Sequence, residues 1–374
     1  MGQNHVPLWD DLAGALDTQR QTAEALAALD RQLAEHPDDV LSWRKKGYLQ
    51  ATLQRYDEAL QTYEHALSLD AANAWTWMSY ANMLDKLQRD EEALAAYRRA
   101  THLDPRLAAA GVTWSVALNR LQRDAEALEA AEQAIRVAPD VATAWNARGV
   151  ALRGLRRRKE ALAAWQRAVA LDPDFAIAWF NMGEGYRVRR RNKKALGAYE
   201  RVLSLDQHFA PAWLGQAETF TALKRFPEAL SAFERVFEFE HGSARAWHGK
   251  GVALQGQGRE DEALNAFERA LALALATGAG DAALWSDKGL ALLRLGRTGD
   301  ALEAYKHAVE IAPDNWYAWR GIATTLKNLG RDEEALDAAR RALSLRVAHS
   351  RLPLRSFIAR LIHHNVSAMR AATD

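Results

Sequence analysis

Two runs of cations, one 34-residue interval apart, are the strongest candidates in the sequence for binding a charged partner. The first run is Arg153, Arg156, Arg157, Arg158 and Lys159, and the second is Arg187, Arg189, Arg190, Arg191, Lys193 and Lys194. Residues 142–209 contain both runs and hold 14 Lys/Arg and 6 Asp/Glu, a net charge of +8. Because clustered guanidinium groups attract anions, the runs could bind an acidic peptide or a nucleic acid, or could form an ordinary solvated surface.

No familiar catalytic or metal-binding pattern accompanies these cations. The absence of cysteine removes thiolate ligands and nucleophiles. There is no His-Glu-x-x-His segment, no Gly-x-Ser-x-Gly segment and no dinucleotide-type glycine run. The adjacent His363 and His364 would not share one face of a helix, which favours surface positions over a metal site. We therefore expect no enzymatic activity, no cofactor and no metal.

Composition and charge place the chain among globular proteins. Apolar residues make up 49% of the sequence and the formal net charge is only +1, which argues against bulk affinity for nucleic acid or membranes. The longest apolar stretch, residues 270–276, is far shorter than the roughly 20 residues of a membrane-spanning helix. The N-terminus lacks the basic start and apolar core of a signal peptide, so a cytoplasmic location is expected.

A 34-residue repeat runs along the sequence and defines the helices that carry these side chains. An Ala-Leu pair recurs at Ala25, Ala59, Ala93, Ala127, Ala161, Ala195, Ala229 and Ala263, and, after a four-residue insertion, at Ala301 and Ala335. A tryptophan stands sixteen residues before each of these alanines, with Gly111 as the exception. We number each repeat so that this tryptophan is at position 4 and the alanine at position 20.

The other recurring residues predict a helical hairpin. Position 8 is small, position 24 is mostly aromatic and position 27 is usually Ala, which indicates two helices in close contact. Position 32 is proline in five repeats, often followed by an Asp that could cap the next helix. Because its period equals that of the repeat, the position-4 tryptophan is expected to be a core residue.

This pattern resembles the tetratricopeptide repeat family over residues 6–349. The resemblance implies an all-α fold, a right-handed superhelical solenoid of about ten helix-turn-helix repeats with a concave groove. The implied repeats are 6–39, 40–73, 74–107, 108–141, 142–175, 176–209, 210–243, 244–281, 282–315 and 316–349. Residues 1–5 would be an N-terminal tail. Residues 350–374, which carry apolar side chains at helical spacing, are predicted to form a C-terminal capping helix.

In this family, positions 2, 5, 6, 9, 12 and 13 of the first helix line the groove. The residues that the resemblance places there are Trp75, Val116, Val150, Ile177, Phe180, Asn181, Glu184, Leu214 and Glu218. The middle of this groove is apolar, which suits a peptide or partner helix but is also compatible with ordinary packing between repeats. Stacking of the fifth and sixth repeats would bring the two cationic runs together on one basic edge.

Three functions remain open from the sequence. We favour a non-catalytic protein-interaction scaffold or adaptor that holds a peptide or partner helix in the groove, an acidic one if the basic edge takes part. The second is self-assembly, in which the first repeat, with 8 acidic and 2 basic residues, docks head-to-tail on the basic repeats of another copy. The third, less favoured, is nucleic-acid binding by the basic edge.

Overall fold

The computed structural model describes residues 6–278 and 280–349, and every regular element in this part of the chain is an α-helix. The helices are α1 (Val6–Glu35), α2 (Val40–Thr52), α3 (Tyr56–Leu69), α4 (Ala74–Lys86), α5 (Asp90–Leu103), α6 (Ala108–Arg120), α7 (Asp124–Val137), α8 (Ala142–Gly154), α9 (Arg158–Leu171), α10 (Ala176–Val188), α11 (Asn192–Leu205), α12 (Ala210–Ala222), α13 (Phe226–Phe239), α14 (Ala244–Gly256), α15 (Glu260–Ala276), α16 (Ala282–Arg294), α17 (Thr298–Ile311), α18 (Trp316–Asn328) and α19 (Asp332–His349). The predicted all-α class is confirmed.

The chain divides into two compact units, Met1–Arg189 and Arg190–Asp374. In the first unit α2 packs on α3, α4 on α5, α6 on α7 and α8 on α9, and in the second α12 packs on α13, α14 on α15, α16 on α17 and α18 on α19. The first helices of successive hairpins also contact one another, as α2 and α4 do in the first unit and α12 and α14 in the second. Each unit is therefore a stack of helical hairpins, which is the packing of a solenoid.

An aromatic residue at position 24 is the centre of most of the hairpin cores. Phe233 and Phe267 are completely buried, and Trp165 is 1% exposed. The small residue at position 8 makes room for this ring, since a methyl group added at Gly251 would come within 2.4 Å of the ring of Phe267. The predicted large-small contact is thus the close-packed contact that holds the two helices of a hairpin together.

From Trp43 onwards the position-4 tryptophans are half-buried, and six of them tie the first helix to the loop before it. The indole nitrogen of Trp43 donates a hydrogen bond to the carbonyl oxygen of Pro37 at 2.8 Å. An equivalent hydrogen bond, at 2.9 Å to the carbonyl oxygen of the residue six positions earlier, is donated by Trp77, Trp145, Trp179, Trp213 and Trp319. These tryptophans therefore fix the joint between consecutive hairpins, and the expectation that they form the core is only partly correct.

The turn inside each hairpin repeats as well. Position 15 adopts a positive φ of 55–76° at Gln54, Gln88, Gln122, Arg156, Arg190, Lys224, Gly258, Gly296 and Gly330. The arginine at position 16 precedes the second helix, and in eight hairpins it pairs with an Asp or Glu three residues on. In one of these pairs, Arg123 Nε lies 2.7 Å from Glu126 Oε1. The carboxylate also complements the positive end of the helix.

The first predicted repeat is not a hairpin in the structure. Its residues belong to the single 30-residue helix α1, so the two-helix prediction for residues 6–39 does not hold. The turn residues explain the difference, because positions 14 to 16 are Gln19-Arg20-Gln21 where most hairpins have Leu-x-Arg. Gln21 therefore cannot form the position-16 ion pair of the hairpins. Glu24 Oε1 lies instead 3.6 Å from Arg20 Nε, an i,i+4 pair within the continuous helix.

The four-residue insertion lengthens a helix. α15 has 17 residues, whereas α13 and α17, the neighbouring second helices, have 14. The insertion therefore adds most of one helical turn before the loop. The predicted tail, residues 1–5, and the predicted capping helix, residues 350–374, lie outside the described residues. The division of the chain into repeats stays a prediction.

Candidate functional site

Three apolar side chains predicted for the groove are largely exposed in the first unit. Trp75 on α4 is 50% exposed, Val116 on α6 is 55% exposed and Ile177 on α10 is 51% exposed. All three lie on the first helix of a hairpin, and other residues of the same helix are buried in the core. Exposed apolar side chains on rigid helices are available to a partner and do not contribute much to the core.

The other groove candidates of the first unit are more enclosed. Val150 and Phe180 are half-buried, and Asn181 is only 7% exposed. Asn181 Nδ2 donates a hydrogen bond to Asn146 Oδ1 at 2.9 Å, which links α10 to α8. Glu184 accepts hydrogen bonds from Arg187, with a shortest contact of 2.6 Å. Asn181 therefore joins neighbouring helices, and its contact with a partner stays a prediction.

Leu214 and Glu218 lie on α12 in the second unit. Leu214 packs partly against the buried cluster around Phe233. Glu218 accepts two hydrogen bonds from Arg245 of α14, at 2.6 and 2.7 Å. This two-point contact neutralises the carboxylate, so Glu218 presents little net charge to a partner. The sequence did not indicate this pairing, because the two residues lie 27 positions apart.

The first cationic run surrounds a small cavity in the first unit. Arg153, Arg156 and Arg158 line it together with Glu184, and its volume is about 330 Å³. Arg153 also lies over the ring of Trp165, 6.0 Å from its centroid, and Lys159 is exposed. The structure therefore brings one predicted groove residue, Glu184, beside three residues of the predicted basic edge.

Arg157 is not an unpaired cation, because it forms the position-16 ion pair with Glu160. Its Nε and Nη2 donate to the two carboxylate oxygens at 2.8 and 2.7 Å. The hydrogen bond from Arg157 holds the pKa of Glu160 below its ordinary value. The pair leaves Arg153, Arg156 and Arg158 as the cationic lining of this cavity.

The second run is divided between the units. Arg187 and Arg189 belong to the first unit, where Arg187 pairs with Glu184. Arg190, Arg191, Lys193 and Lys194 belong to the second, where they line a cavity of about 500 Å³ with Asn192 and Leu223. At this turn Lys194 takes the place of the acidic residue that follows the position-16 arginine in the other hairpins. Whether the two runs share one edge stays a prediction.

The first unit contains an apolar cavity of about 710 Å³ that the repeat pattern did not predict. Its walls are α1, α2 and α4, and its lining includes Ala25, Leu29, Tyr48 and Trp75. Tyr48 is 63% exposed. It stands at position 9, a groove position of the family, so the repeat could have identified it. The repeat could not have identified the exposed side chains of α1, because it predicted that this segment is the second helix of a hairpin and is covered by a first helix.

Matches to family models decide the identity of the chain. Models of the tetratricopeptide repeat match residues 11–74, 76–107, 142–175, 208–276, 242–314 and 286–348. Together these matches span well over half of the sequence. The chain belongs to the tetratricopeptide repeat (TPR) family. No curated protein matches the sequence.

Solved structures share the TPR fold. The crystal structure of the APC/C hetero-tetramer Cut9-Hcn1 is 16% identical, with a TM-score of 0.56, over 82% of this chain and 73% of that chain. YrrB, described as a TPR protein with an unusual peptide-binding site, is 24% identical, with a TM-score of 0.43, over 51% and 96% of the two chains. MamA is 23% identical, with a TM-score of 0.41, over 45% and 95%. Because its identity to this chain is only 16%, the likeness to Cut9-Hcn1 shows a shared fold and nothing further.

The described residues contain neither a metal-binding cluster nor a membrane-spanning helix. Within residues 6–278 and 280–349, no cluster of three or more His, Asp or Glu side chains is arranged to hold a metal ion. In the same part of the chain, no helix is both long enough and apolar enough to cross a membrane.

Proposed function

We propose that this TPR protein is a non-catalytic scaffold or adaptor that binds an acidic peptide or partner helix along the first helices of its hairpins. The exposure of Val116 and Ile177 carries the proposal, since both are more than half exposed on helices that the core holds rigid. A partner that covers them removes apolar surface from water, at about 25 cal/mol per Å² of area. We keep the cytoplasmic location expected from the sequence as part of the proposal.

The cationic lining near α10 supports an acidic partner. Arg153, Arg156 and Arg158 surround a cavity beside Glu184. In the proposed complex, carboxylates of the partner reach these arginines while its apolar side chains cover Ile177. Complementary charge of this kind raises the association rate and selects the partner.

Selection from a random peptide library on the immobilised full chain tests this function. We expect the selected peptides to combine acidic and apolar residues. Val116→Ser and Ile177→Ser together should weaken binding of a selected peptide by about tenfold or more, a loss of about 1.4 kcal/mol. Leu275→Ser is the matched control, because Leu275 is 59% exposed but lies on α15, a second helix.

The result distinguishes the proposal from simple surface exposure. Both variants should keep the parent melting temperature, since they change only exposed side chains. Equal binding by the double variant and the parent would contradict the proposal. Selection of peptides without acidic residues would remove the acidic partner but retain the scaffold. Tighter binding of single-stranded nucleic acid than of any selected peptide would favour the third hypothesis.

A further inference from the structure

The second half of α1 exposes a surface that is buried in every complete hairpin except the last, where Ala339 at position 24 is exposed. At position 20, Ala59 of α3 is 0% exposed, whereas Ala25 of α1 is exposed. At position 24, Tyr63 is 3% exposed, whereas Leu29 is half-buried. In the hairpins before the last, the first helix covers these positions. In α1 no first helix folds back, because the chain continues straight from Val6 to Glu35.

The cavity of about 710 Å³ lies where that first helix would be. Ala25, Ala28 and Leu29 of α1 form one wall. α2 contributes Leu41, Arg44, Lys45, Tyr48 and Leu49 to the lining. Tyr63 of α3 and Trp75, Met78, Ser79 and Asn82 of α4 complete the lining. The α1 and α2 walls are those that the first helix of a hairpin would cover, and that helix is missing.

Residues 6–18 carry the sequence of that missing helix. Trp9 and Ala13 stand 34 residues before Trp43 and Gly47, at positions 4 and 8 of the repeat. A helix with this signature suits a site whose walls carry small and apolar residues at positions 20 and 24. The same chain cannot supply it without breaking α1, and residues 19–21 lack the position-16 arginine that pairs with a carboxylate in the other hairpins.

Charge points to the same occupant. Arg44 and Lys45 line the cavity, and neither has an ion-pair partner among the described residues. Residues 6–18 contain Asp10, Asp11 and Asp17 and no cation. A helix made of these residues therefore brings carboxylates to the cations, which are close enough to the surface for the attraction to weaken with salt.

We propose that residues 6–18 of a second copy fill this cavity, so that two α1 helices lie antiparallel in a closed dimer. Each copy inserts the first half of its α1 into the cavity of the other copy. The same contact therefore occurs twice, as two-fold symmetry requires. The exchange completes the first hairpin of both copies. It covers the groove candidate Trp75, which lines the cavity, but leaves Val116 and Ile177 on α6 and α10 uncovered. Because these two residues carry the proposed scaffold function, the dimer and that function can be tested separately.

Cross-linking between introduced cysteines identifies the occupant. The natural chain has no cysteine, so Ala13→Cys and Ala25→Cys can be combined in the full chain without interference. Positions 8 and 20 touch in a hairpin, where Ser115 Oγ donates to the carbonyl oxygen of Ala127 at 2.7 Å. Along one straight helix the two cysteines lie about 18 Å apart, beyond a short bis-maleimide linker. We expect a covalent dimer on a reducing gel, and no dimer from either single variant.

A turn variant provides the second test. Gln19→Leu, Arg20→Gly and Gln21→Arg together install the turn that stands at residues 295–297 and 329–331. Glycine there adopts the positive φ that a closed hairpin needs. Sedimentation velocity should show a dimer for the parent and a monomer for this variant. Gln19→Ala, Arg20→Ala and Gln21→Ala together keep helix propensity and should remain dimeric.

Three outcomes would overturn the proposal. A monomeric parent would show that the second copy does not bind. A cross-link within one chain would show that residues 6–18 fold back on their own α1. A dimer that persists unchanged in the turn variant, with no cross-link between chains, would place the contact on another surface.

Discussion

A methyl group added to Gly149 on α8 would lie 2.3 Å from the indole nitrogen of Trp165 on α9. Trp165 is 1% exposed, so its ring belongs to the core of this hairpin. Gly149 therefore permits α8 and α9 to approach as closely as they do. The same relation between positions 8 and 24 recurs along the chain, as in Gly251 and Phe267.

We expect Gly149→Ala to destabilise the protein by about 1–3 kcal/mol, the usual cost of an overpacked core. Gly197→Ala is the matched control, because Gly197 lies inside α11 with nothing within 4 Å of an added methyl group. It should stabilise the protein by about 0.5–1 kcal/mol through helix propensity. Urea unfolding followed by circular dichroism measures both. Equal effects of the two changes would mean that α8 and α9 are not in close contact.

Phe233→Ala should cost more than Trp179→Ala. Phe233 is completely buried, and emptying such a site costs about 3–5 kcal/mol. Trp179 is half-buried and donates one hydrogen bond to Pro173, so its loss should cost about 1–3 kcal/mol. The order of the two free energies of unfolding is the measurement. The reverse order would place the core at position 4.

Trp75→Ala should leave the melting temperature nearly unchanged, because the side chain is 50% exposed. Binding of a library-selected peptide should weaken if the peptide reaches α4. Trp77→Ala is the control, since Trp77 also lies on α4 but donates a hydrogen bond to the carbonyl oxygen of Ala71 at 2.9 Å. It should lower the melting temperature. A large drop for Trp75→Ala would show that its ring supports the fold.

Reversal of Arg156, Arg158, Arg190 and Arg191 to Glu should abolish binding of an acidic peptide without unfolding the protein. All four are exposed, and exposed charges act over a screening length of about 8 Å at physiological salt. Affinity of the parent should therefore fall steeply as salt rises. The control reverses four other exposed cations, Arg99, Arg269, Lys306 and Arg341. Unchanged affinity of the first variant at low salt would show that the cationic runs are only a solvated surface.

Stability should fall in acid because of the position-16 ion pairs. The hydrogen bond from the preceding arginine lowers the pKa of Glu92, Glu126, Glu160, Glu262 and Glu334. A carboxyl group with a lowered pKa in the folded state stabilises the fold above its unfolded pKa, and this stabilisation is lost as pH falls through the folded pKa. The loss should begin near the ordinary value of 4.5 and continue below it.

A triple variant, Glu92→Gln, Glu126→Gln and Glu160→Gln, isolates the contribution of these pairs. Its free energy of unfolding, measured by urea at a series of pH values, should depend less on pH between neutral pH and the acid range. The curves of variant and parent should converge at low pH, where the parent carboxylates are protonated. Parallel curves would show that the pairs do not stabilise the fold.

The hairpins could be predicted from the sequence because their contacts are local and repeat. Positions 8, 20 and 24 meet within one repeat, so one period of residues is enough to predict two packed helices. For the same reason the helix that carries each groove candidate, such as Ile177 on α10, followed from its repeat position. The exposure of these side chains did not, since it depends on neighbours from other repeats.

The tertiary structure decided what the repeat alone could not. Asn181 is buried and donates a hydrogen bond to Asn146, and Glu218 is neutralised by Arg245. In each pair the partner lies on a different helix. The first repeat has the right tryptophan and alanine but lacks the turn, and a turn of three residues decides between a hairpin and a continuous helix. Repeated side chains determine which surfaces can pack. The local backbone at the turn, and the neighbours it brings together, determine whether those surfaces meet within one chain.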